Sequence, residues 1–404
     1  MKKKLLLGTT ALIAAGVATS GVAQAEEAIT AGISGYFRSA IAVISQDDAD
    51  GELANTDSSI TQSNDIEIGV GGSTTLDNGI TVGFNANIEG NGGGAEGSAA
   101  LDERYVFFNG SFGQIQLGQV ESARQAMTGF APSGNYNFGV NSPFFIHGNA
   151  GGPFFNVRTY DDGLGNEDSI KMVYYSPSFN GFKFGASYAA EDGFNGAYTG
   201  NSKDALGGLQ NNAAISATFD HNFGEMSLRL MAGYETYTLE TCNVNAAGVV
   251  TVASFVTNLT PARATAPTIR TTADQNCDDN PDSTQFGASL SFGEFSIGGG
   301  LLSSSQVAND SGGGARNRSD MDLGVAWWSG AYGIGVQYGQ AELDDAGGLT
   351  DSFDMFEVNG TYVVGPGIDI GATMRRGNFD DATTSAVNLD NEFTEFALGA
   401  AVNF

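Results

Sequence analysis

The most regular pattern in this chain is an alternation of apolar residues with small or polar ones, and it is clearest at the carboxyl terminus. From Phe396 to Phe404 every second residue is apolar, and alanine, glycine and asparagine occupy the positions between them. A period of two is typical of a β-strand with one apolar face and one small or polar face. Similar stretches recur about sixteen times after Ile29, so the sequence predicts an all-β protein.

The predicted strands cover most of the chain after the first residues. We place them at about 29–44, 62–76, 80–90, 100–109, 114–121, 167–177, 182–191, 211–221, 225–238, 283–292, 294–304, 319–329, 331–342, 352–364, 367–377 and 391–404. This series is regular, and no stretch between the strands has the length and periodicity of a helix that would cover an apolar sheet face.

The connections between the strands alternate strictly between short and long. The short ones are rich in Gly and Asn, as in Asp77-Asn78-Gly79, and these residues adopt the positive φ angles that tight hairpins need. The long ones span about 45–61, 91–99, 122–166, 192–210, 239–282, 305–318, 343–351 and 378–390. Short turns at one end and long loops at the other are typical of outer-membrane barrels.

An uncovered apolar sheet face is expected to contact lipid. Only helices and closed β-barrels satisfy every backbone hydrogen bond in hydrocarbon. The sequence therefore predicts an antiparallel transmembrane β-barrel of about 16 strands, with short periplasmic turns and long external loops. A soluble β-sandwich is the alternative, although sandwiches pack two apolar faces together and rarely sort their connections into short and long by parity.

The amino terminus predicts export. Lys2, Lys3 and Lys4 precede the apolar stretch 5–22, and Ala23-Gln24-Ala25 has the small-x-small form of a cleavage site. We expect residues 1–25 to be a cleaved signal peptide and residues 26–404 to be the mature barrel. An uncleaved anchor helix is the alternative. Beyond residue 25 the sequence has no run of about 18 apolar residues that would predict a transmembrane helix.

The composition fits turns and a polar channel, and it excludes one class of partner. Glycine accounts for 58 of 404 residues, about twice the usual share of roughly 7%. The formal net charge is −29. With the three leader lysines removed, the 17 basic residues fall to 14 against 46 acidic ones, and the net charge becomes −32. Such a negative surface repels nucleic acid, so we exclude nucleic acid as a partner.

The two cysteines, Cys242 and Cys277, both lie in one irregular stretch. In an exported protein we expect them to form a disulfide, worth roughly 3–4 kcal/mol in the chain-entropy description. No cofactor is predicted, but acidic clusters in the external loops could hold Ca²⁺, which prefers several carboxylate oxygens. These clusters contain Asp47, Asp48 and Asp50, then Asp278, Asp279 and Asp282, then Asp344 and Asp345. None has EF-hand spacing, and simple solvation is the alternative.

Two segments resemble a known family. Residues 104–119 read Arg-Tyr-Val-Phe-Phe-Asn-Gly-Ser-Phe-Gly-Gln-Ile-Gln-Leu-Gly-Gln, and residues 174–182 read Tyr-Tyr-Ser-Pro-Ser-Phe-Asn-Gly-Phe. Together with the terminal Phe404 they resemble Gram-negative general diffusion porins of the alphaproteobacterial type. Family members usually carry Arg at the position of Gln119. The resemblance implies a 16-stranded homotrimer whose third external loop folds into the lumen, and a terminal Phe404 that is read by the barrel-assembly machinery.

The third loop would span about 122–166. It carries several aromatic residues, including Phe130, Phe138 and Phe144. Such residues are poorly solvated outside a protein, so insertion against the inner wall is physically sensible. A loop that caps a neighbouring subunit is the alternative.

Alternation along the strands indicates which charges face the lumen. It predicts an inward basic wall, because a cation on the lipid face at mid-depth costs roughly 2–4 kcal/mol. This wall comprises Arg38, Arg104, Lys171, Lys183, Arg229 and Arg375. The opposing constriction acids comprise Glu121, Asp161, Asp162, Glu167 and Asp168, and further acids of the lumen type are Asp65, Glu67, Glu89 and Asp102. Charges of opposite sign across a constriction favour polar solutes. The alternative is that these groups are merely solvated or paired.

These features predict an outer-membrane porin of a Gram-negative bacterium, with passive diffusion of small hydrophilic solutes and ions and mild cation selectivity. A substrate-selective porin with an aromatic ladder, which could include Tyr36, Tyr136, Tyr160 or Trp328, is the nearest alternative. A structural or adhesive barrel remains open as well. We expect no enzymatic activity, since neither His147 nor His221 has a catalytic context. The expected partners are two further copies of the chain, outer-membrane lipid and lipopolysaccharide, and the barrel-assembly machinery.

Overall fold

The computed structural model describes residues 29–46, 59–90, 100–129, 131–135, 138–141, 157–160, 169–191, 209–239, 243–244, 250–251, 280–307, 316–344, 349–380, 382 and 390–404. The predicted signal peptide lies outside these residues. No helix in the described ranges is long and apolar enough to span a membrane.

The strands are β1 (Thr30–Gln46), β2 (Ile60–Thr75), β3 (Thr81–Glu89), β4 (Ala100–Gly110), β5 (Gly113–Gln119), β6 (Ile170–Tyr175), β7 (Phe182–Glu191), β8 (Leu209–Phe223), β9 (Met226–Leu239), β10 (Asn243–Val244), β11 (Val250–Thr251), β12 (Asp282–Phe292), β13 (Phe295–Val307), β14 (Arg316–Ser329), β15 (Tyr332–Asp344), β16 (Thr350–Gly365), β17 (Ile368–Asp380) and β18 (Asn391–Asn403). The short helix α1 (Ala123–Ala126) follows β5. The strands β10 and β11 pair only with each other, within a stretch predicted to be a loop.

The remaining sixteen strands form one closed antiparallel barrel. Each strand pairs with its neighbours in sequence, and β9 pairs directly with β12. The barrel closes where β1 pairs with β18, from Tyr36 opposite Asn403 to Gln46 opposite Phe393. The predicted antiparallel barrel is therefore confirmed, and the sandwich alternative is excluded because the sheet closes on itself.

The pleat divides every strand into an outer and an inner face. On β1, Ile33, Phe37 and Ile41 are exposed on the outside, whereas Ala40 and Ala42 are buried on the inside. The register carries this division from strand to strand around the ring, because residues directly opposite each other lie on the same face. Exposed Phe, Leu, Ile and Val side chains recur on the outer face of the other strands. The barrel is thus apolar outside, and its inner face is mostly polar or small, apart from a buried apolar cluster that includes Leu343, Phe353 and Phe393.

The short turns have the predicted chemistry. Gly79 and Gly330 adopt φ angles of +80° and +57°, in the left-handed region that a residue with a Cβ enters only with strain. The short β2–β3 and β14–β15 hairpins depend on this freedom, and it explains why glycines at these places in the sequence predicted the turns.

The third loop folds into the barrel, as predicted. After β5 the chain turns inward through α1, and its described residues then contact successive strands of the inner wall. Gln337 on β15 donates to the carbonyl of Ala131 at 3.0 Å, and Asn135 donates to the carbonyl of Gly360 on β16 at 2.8 Å. Phe138 packs against Ala40 in a buried cluster. These contacts contradict the alternative in which this part of the loop caps a neighbouring subunit.

Candidate functional site

The pore wall consists of two lumen-facing surfaces that differ in what lies over them. We call the inner face of β7–β9 and β12–β18 the covered arc, because the described loop residues 123–129, 131–135, 138–141 and 157–160 lie against it. We call the lumen-side carboxylates of β2–β4 the acidic arc. The acidic arc comprises Asp65, Glu67, Glu89, Asp102 and Glu103.

Five of the six predicted cations lie on the lumen side of their strands. The register puts them on the same face as buried inner residues, and they are Arg38, Lys171, Lys183, Arg229 and Arg375. They belong to β1, β6, β7, β9 and β17, which are spread around the ring. The structure therefore does not bring them together as one wall.

Arg104 was predicted to face the lumen, and the structure contradicts this. It lies opposite Ala86 and Gln119 and shares the outer face of β4 with the exposed Val106. The prediction assumed that Tyr105 points outward because it is aromatic. In the barrel, Tyr105 points inward and packs against a buried cluster around the start of the loop. The inserted loop thus gives an aromatic side chain an apolar partner inside, which alternation alone could not indicate.

Arg375 does not face open water, contrary to the predicted pore-lining role. Its guanidinium lies 2.5 Å from Glu357 and 3.1 Å from Glu395, and all three side chains have no exposed surface. The ring of Phe138 lies 5.4 Å above it. Arg375 is therefore a buried ion-pair centre beneath the loop.

The other lumen cations also have specific partners. Arg38 lies 3.9 Å from Asp65 and stacks on Tyr36 at 4.0 Å. Arg229 lies 3.9 Å from Asp220 next to the short β8–β9 turn. Lys183 lies 5.0 Å from the ring of Tyr175, and Lys171 is buried on β6. Arg38 and Arg229 are thus paired with carboxylates, and Lys183 lies within electrostatic range of both Arg229 and Asp220.

Among its described residues, the loop brings a cation to the wall. Arg124 on α1 has no exposed surface, and its guanidinium donates to Glu235 on β9 at 2.7 Å. Glu235 also accepts from Ser122 at 2.8 Å and from Asn212 at 2.6 Å. Sequence reasoning missed this group. The signal that it overlooked is the capping box of Ser122 and Gln125, which predicts a helix start at this point.

The returning leg of the loop is held by a second set of wall carboxylates. Asp320 on β14 accepts from the backbone N–H of Arg158 at 2.8 Å and pairs with Arg318 at 2.6 Å. The next inward residue, Asp322, accepts from the hydroxyl of Thr159 at 2.6 Å. The covered-arc carboxylates Glu235, Asp320 and Asp322 are therefore satisfied by arginines or by loop donors.

The acidic arc is different. Glu67 and Glu89 both lie within electrostatic range of Asp65 and Asp102, and Glu103 lies within range of Glu121. Asn87 donates to one oxygen of Glu103 at 3.2 Å. Neither carboxylate oxygen of Asp65 has a hydrogen-bond partner among the described residues.

The sequence identified four members of this arc and missed Glu103. An irregularity in the β3–β4 register lies between Ala86 and Ile88, and it brings the consecutive Asp102 and Glu103 to the same group of carboxylates. Glu121, predicted as a constriction acid, adds to this negative group rather than opposing a basic one. The other four predicted constriction acids lie outside the described residues, so their opposition to a basic wall stays a prediction.

The two adjacent tryptophans have separate roles. Trp328 points inward and donates to the carbonyl of Ser133 in the loop at 3.0 Å. Trp327 points outward, and its indole donates to Glu294 near a short turn at 3.2 Å. Trp328 therefore anchors the loop. Its indole N–H is already bonded there, so Trp328 is less suited to the aromatic ladder of a substrate-selective porin.

Several predicted groups lie outside the described residues. These are Asp161, Asp162, Glu167, Asp168, Cys242, Cys277, His147, Tyr136 and most of the acidic loop clusters. The carbonyl of Phe404, which is described, accepts from the N–H of Gly35 at 2.9 Å, so the terminal residue completes the β1–β18 seam. Its role as an assembly signal stays a prediction.

Comparison with known proteins points to one family. A family model of Gram-negative porins matches residues 8–382. No curated protein matches the sequence. Among solved structures, the chain is similar to the outer membrane channel DcaP of Acinetobacter baumannii, with a TM-score of 0.60 and 14% identity over 93% of this chain and 97% of that one. The anion-selective porin from Comamonas acidovorans gives a TM-score of 0.57 and 16% identity over 93% and 100%.

The trimer form of in-vitro folded OmpT, an outer membrane protein of Vibrio cholerae, gives a TM-score of 0.57 and 11% identity over 94% of this chain and 100% of that one. At such identities the structural likeness concerns the fold alone, whereas the family match covers most of the sequence. The closed barrel, the inserted loop and the charged lumen agree with that match. The chain therefore belongs to the Gram-negative porin family and is a β-barrel channel of the outer membrane.

Proposed function

We propose that the channel carries small hydrophilic solutes and ions by passive diffusion, with a mild preference for cations. The observation that supports the preference is the acidic arc, in which Asp65, Glu67, Glu89, Asp102 and Glu103 lie close to one another and the described ion pair joins Arg38 to Asp65. Glu67, Glu89 and Asp102 are partly exposed, whereas Asp65 and Glu103 are buried beside them. Partly exposed carboxylates along a water-filled path lower the free energy of a passing cation and raise that of an anion.

The covered arc contributes little to selectivity in this proposal. Its charges are matched at close range, as in the group of Arg375 with Glu357 and Glu395, and the loop separates them from the path. Charges on the external loops are screened beyond a Debye length of about 8 Å at physiological salt, so they affect selectivity less than charges at the narrow part.

The reversal potential of the purified, processed protein in planar bilayers tests this function. In a KCl gradient we expect discrete conductance steps and a reversal potential of the sign that indicates K⁺ preference. Discrete steps with a clear Cl⁻ preference would contradict the selectivity and leave the channel in place. Absence of conductance from folded protein would contradict the diffusion function itself and favour a structural or adhesive barrel.

We also propose that the protein works as a homotrimer, because one similar structure is a trimer form. Each trimer would then show conductance in steps of three. Lipopolysaccharide, the barrel-assembly machinery acting on Phe404, and Ca²⁺ at external acidic loops remain proposed partners. If Ca²⁺ bridges the loops, a chelator should lower the thermal stability of the trimer.

The absence of enzymatic activity also stays a prediction. The described histidine, His221, stacks on Phe219 at a ring distance of 5.7 Å and meets the ring of Phe223 edge-on at 4.3 Å, which suits an aromatic belt rather than a general base.

A further inference from the structure

Glycines of the covered arc form the surface on which the inserted loop rests. On β12 and β13, Gly287 and Gly300 face Gly129 of the loop, and on β14 Gly324 faces the carbonyl of Pro132. Gly335 on β15 faces Gly134, and Gly399 on β18 faces the ring of Phe138. Each of these glycines points into the lumen, as the register shows. The loop therefore approaches the wall where the wall has no side chain.

The approach is too close for a methyl group at several of these positions. A Cβ on Gly324 would lie 2.6 Å from the carbonyl oxygen of Pro132, and one on Gly300 would lie 3.0 Å from the carbonyl oxygen of Gly129. A Cβ on Gly287 would lie 3.3 Å from the same oxygen. Contacts under 3.0 Å do not occur in real structures, so the loop backbone would have to move.

Hydrogen bonds hold the loop at this height above the glycines. Gln337 and Trp328 donate to the carbonyls of Ala131 and Ser133, both at 3.0 Å. The N–H of Gly134 donates to Asn359 at 2.8 Å. Wall side chains provide these hydrogen bonds, and wall glycines allow the loop backbone to come this close. The position of the loop therefore depends on which wall residues lack a Cβ.

We propose that the lumen-facing glycines of the covered arc determine the size limit of the channel. This inference rests on the proposed diffusion function. The inserted loop occupies lumen volume, and the wall behind it cannot yield because each strand is hydrogen-bonded on both sides. A side chain under the loop therefore displaces it away from the covered arc and toward the acidic arc, which narrows the passage between them.

A graded series of alanine variants in the full-length protein tests this proposal. Gly32→Ala is the matched control, because Gly32 also faces the lumen and its Cβ would meet no atom closer than 4.0 Å. Gly287→Ala and Gly300→Ala need small loop movements, and Gly324→Ala needs a movement of roughly 1 Å because close-packed atoms cannot overlap. Single-channel conductance and liposome swelling with sugars of increasing size are measured for each.

We expect conductance to decrease in the order Gly32→Ala, Gly287→Ala, Gly300→Ala, Gly324→Ala, with a loss of roughly a fifth to a third for the last, since ion flow depends on pore width. The swelling rate should decrease more for large sugars than for small ones. Equal conductance and equal sugar dependence in folded Gly324→Ala and Gly32→Ala would overturn the proposal.

Folding is checked by heat-modifiable gel migration. If Gly324→Ala does not fold, the comparison of Gly287→Ala and Gly300→Ala with Gly32→Ala decides the question, because those contacts need shifts of only a few tenths of an ångström. Wild-type protein without conductance would instead contradict the diffusion function, so the two failures are distinguishable.

Discussion

The covered arc and the acidic arc are built from the same kind of alternating strand, but their carboxylates differ in the partners they have. In the covered arc, carboxylates such as Glu235 and Glu357 are buried and paired with Arg124 and Arg375. In the acidic arc, carboxylates lie next to other carboxylates, and Glu67 is only partly buried. The same residue type therefore anchors a loop on one side of the lumen, and on the other side Glu67, Glu89 and Asp102 keep exposed surface while Asp65 and Glu103 are buried.

The difference follows from what lies over each surface. A buried carboxylate loses its hydration and must be paired, because an uncompensated buried charge costs several kcal/mol. The loop brings Arg124 and backbone donors to the covered arc, and it brings Glu121, which carries the same negative sign, toward the acidic arc. Loop placement, together with the residues of the wall, decides which lumen acids are paired beneath the loop.

The largest effect is expected from the centre of the covered arc. Arg375→Met leaves Glu357 and Glu395 buried without their cation, so it should lower the free energy of unfolding by about 5 kcal/mol or prevent folding. Unfolding in detergent with increasing urea measures the change. The neighbouring Arg376→Met is the control, because Arg376 lies on the outer face with 65% of its side chain exposed. Similar stability of the two variants would contradict the buried role of Arg375.

The loop anchor should have the next largest effect. Glu235→Gln keeps the shape of the side chain but removes the charge that faces Arg124, and we expect a loss of about 3 kcal/mol. Because this pair fixes the start of the loop, channel current should also become noisier than in the wild type. Glu342→Gln, an exposed change on β15, is the comparison. A quiet channel of unchanged stability would show that the pair does not fix the loop.

The adjacent tryptophans offer a smaller and more direct contrast. Trp328→Phe removes the hydrogen bond to the loop carbonyl of Ser133 and should cost about 1 kcal/mol. Trp327→Phe removes a bond on the exposed outer face and should cost less. Thermal unfolding of the two variants under identical conditions measures the difference in stability. A larger loss for Trp327→Phe than for Trp328→Phe would contradict the role of Trp328 as the loop anchor.

The acidic arc should change selectivity with little change in stability. The double variant Glu67→Gln with Asp102→Asn removes two charges from a group of like sign, so we expect the ratio of K⁺ to Cl⁻ permeability to decrease roughly two- to threefold. Reversal potentials in a KCl gradient give the ratio. Glu342→Gln again serves as the control, and an unchanged ratio in the double variant would remove the acidic arc from the permeation path.

Much of the fold could be predicted from local pattern. Alternation located the sixteen barrel strands, and glycines such as Gly79 and Gly330 located the turns, because both signals are contained in a few consecutive residues. The inserted loop was also predicted, from its aromatic residues and from the resemblance to porins. Phe138, packed on Ala40 inside the barrel, shows why those residues required cover.

The site was predicted less well, because its charges meet through contacts between residues far apart in the chain. Arg124 and Glu235 are separated by 111 positions, and nothing near either residue indicates the other. Arg104 was placed on the wrong face because the inward position of Tyr105 depends on the loop cluster that receives it.

The sequence alone therefore determined the strand pattern, the turn positions and the apolar outer surface, since each depends on neighbours within one strand or hairpin. Tertiary structure decided which lumen charges are paired beneath the loop and which keep exposed surface. That outcome depends on where the loop lies across the barrel, and the loop in turn rests where the wall strands present glycine.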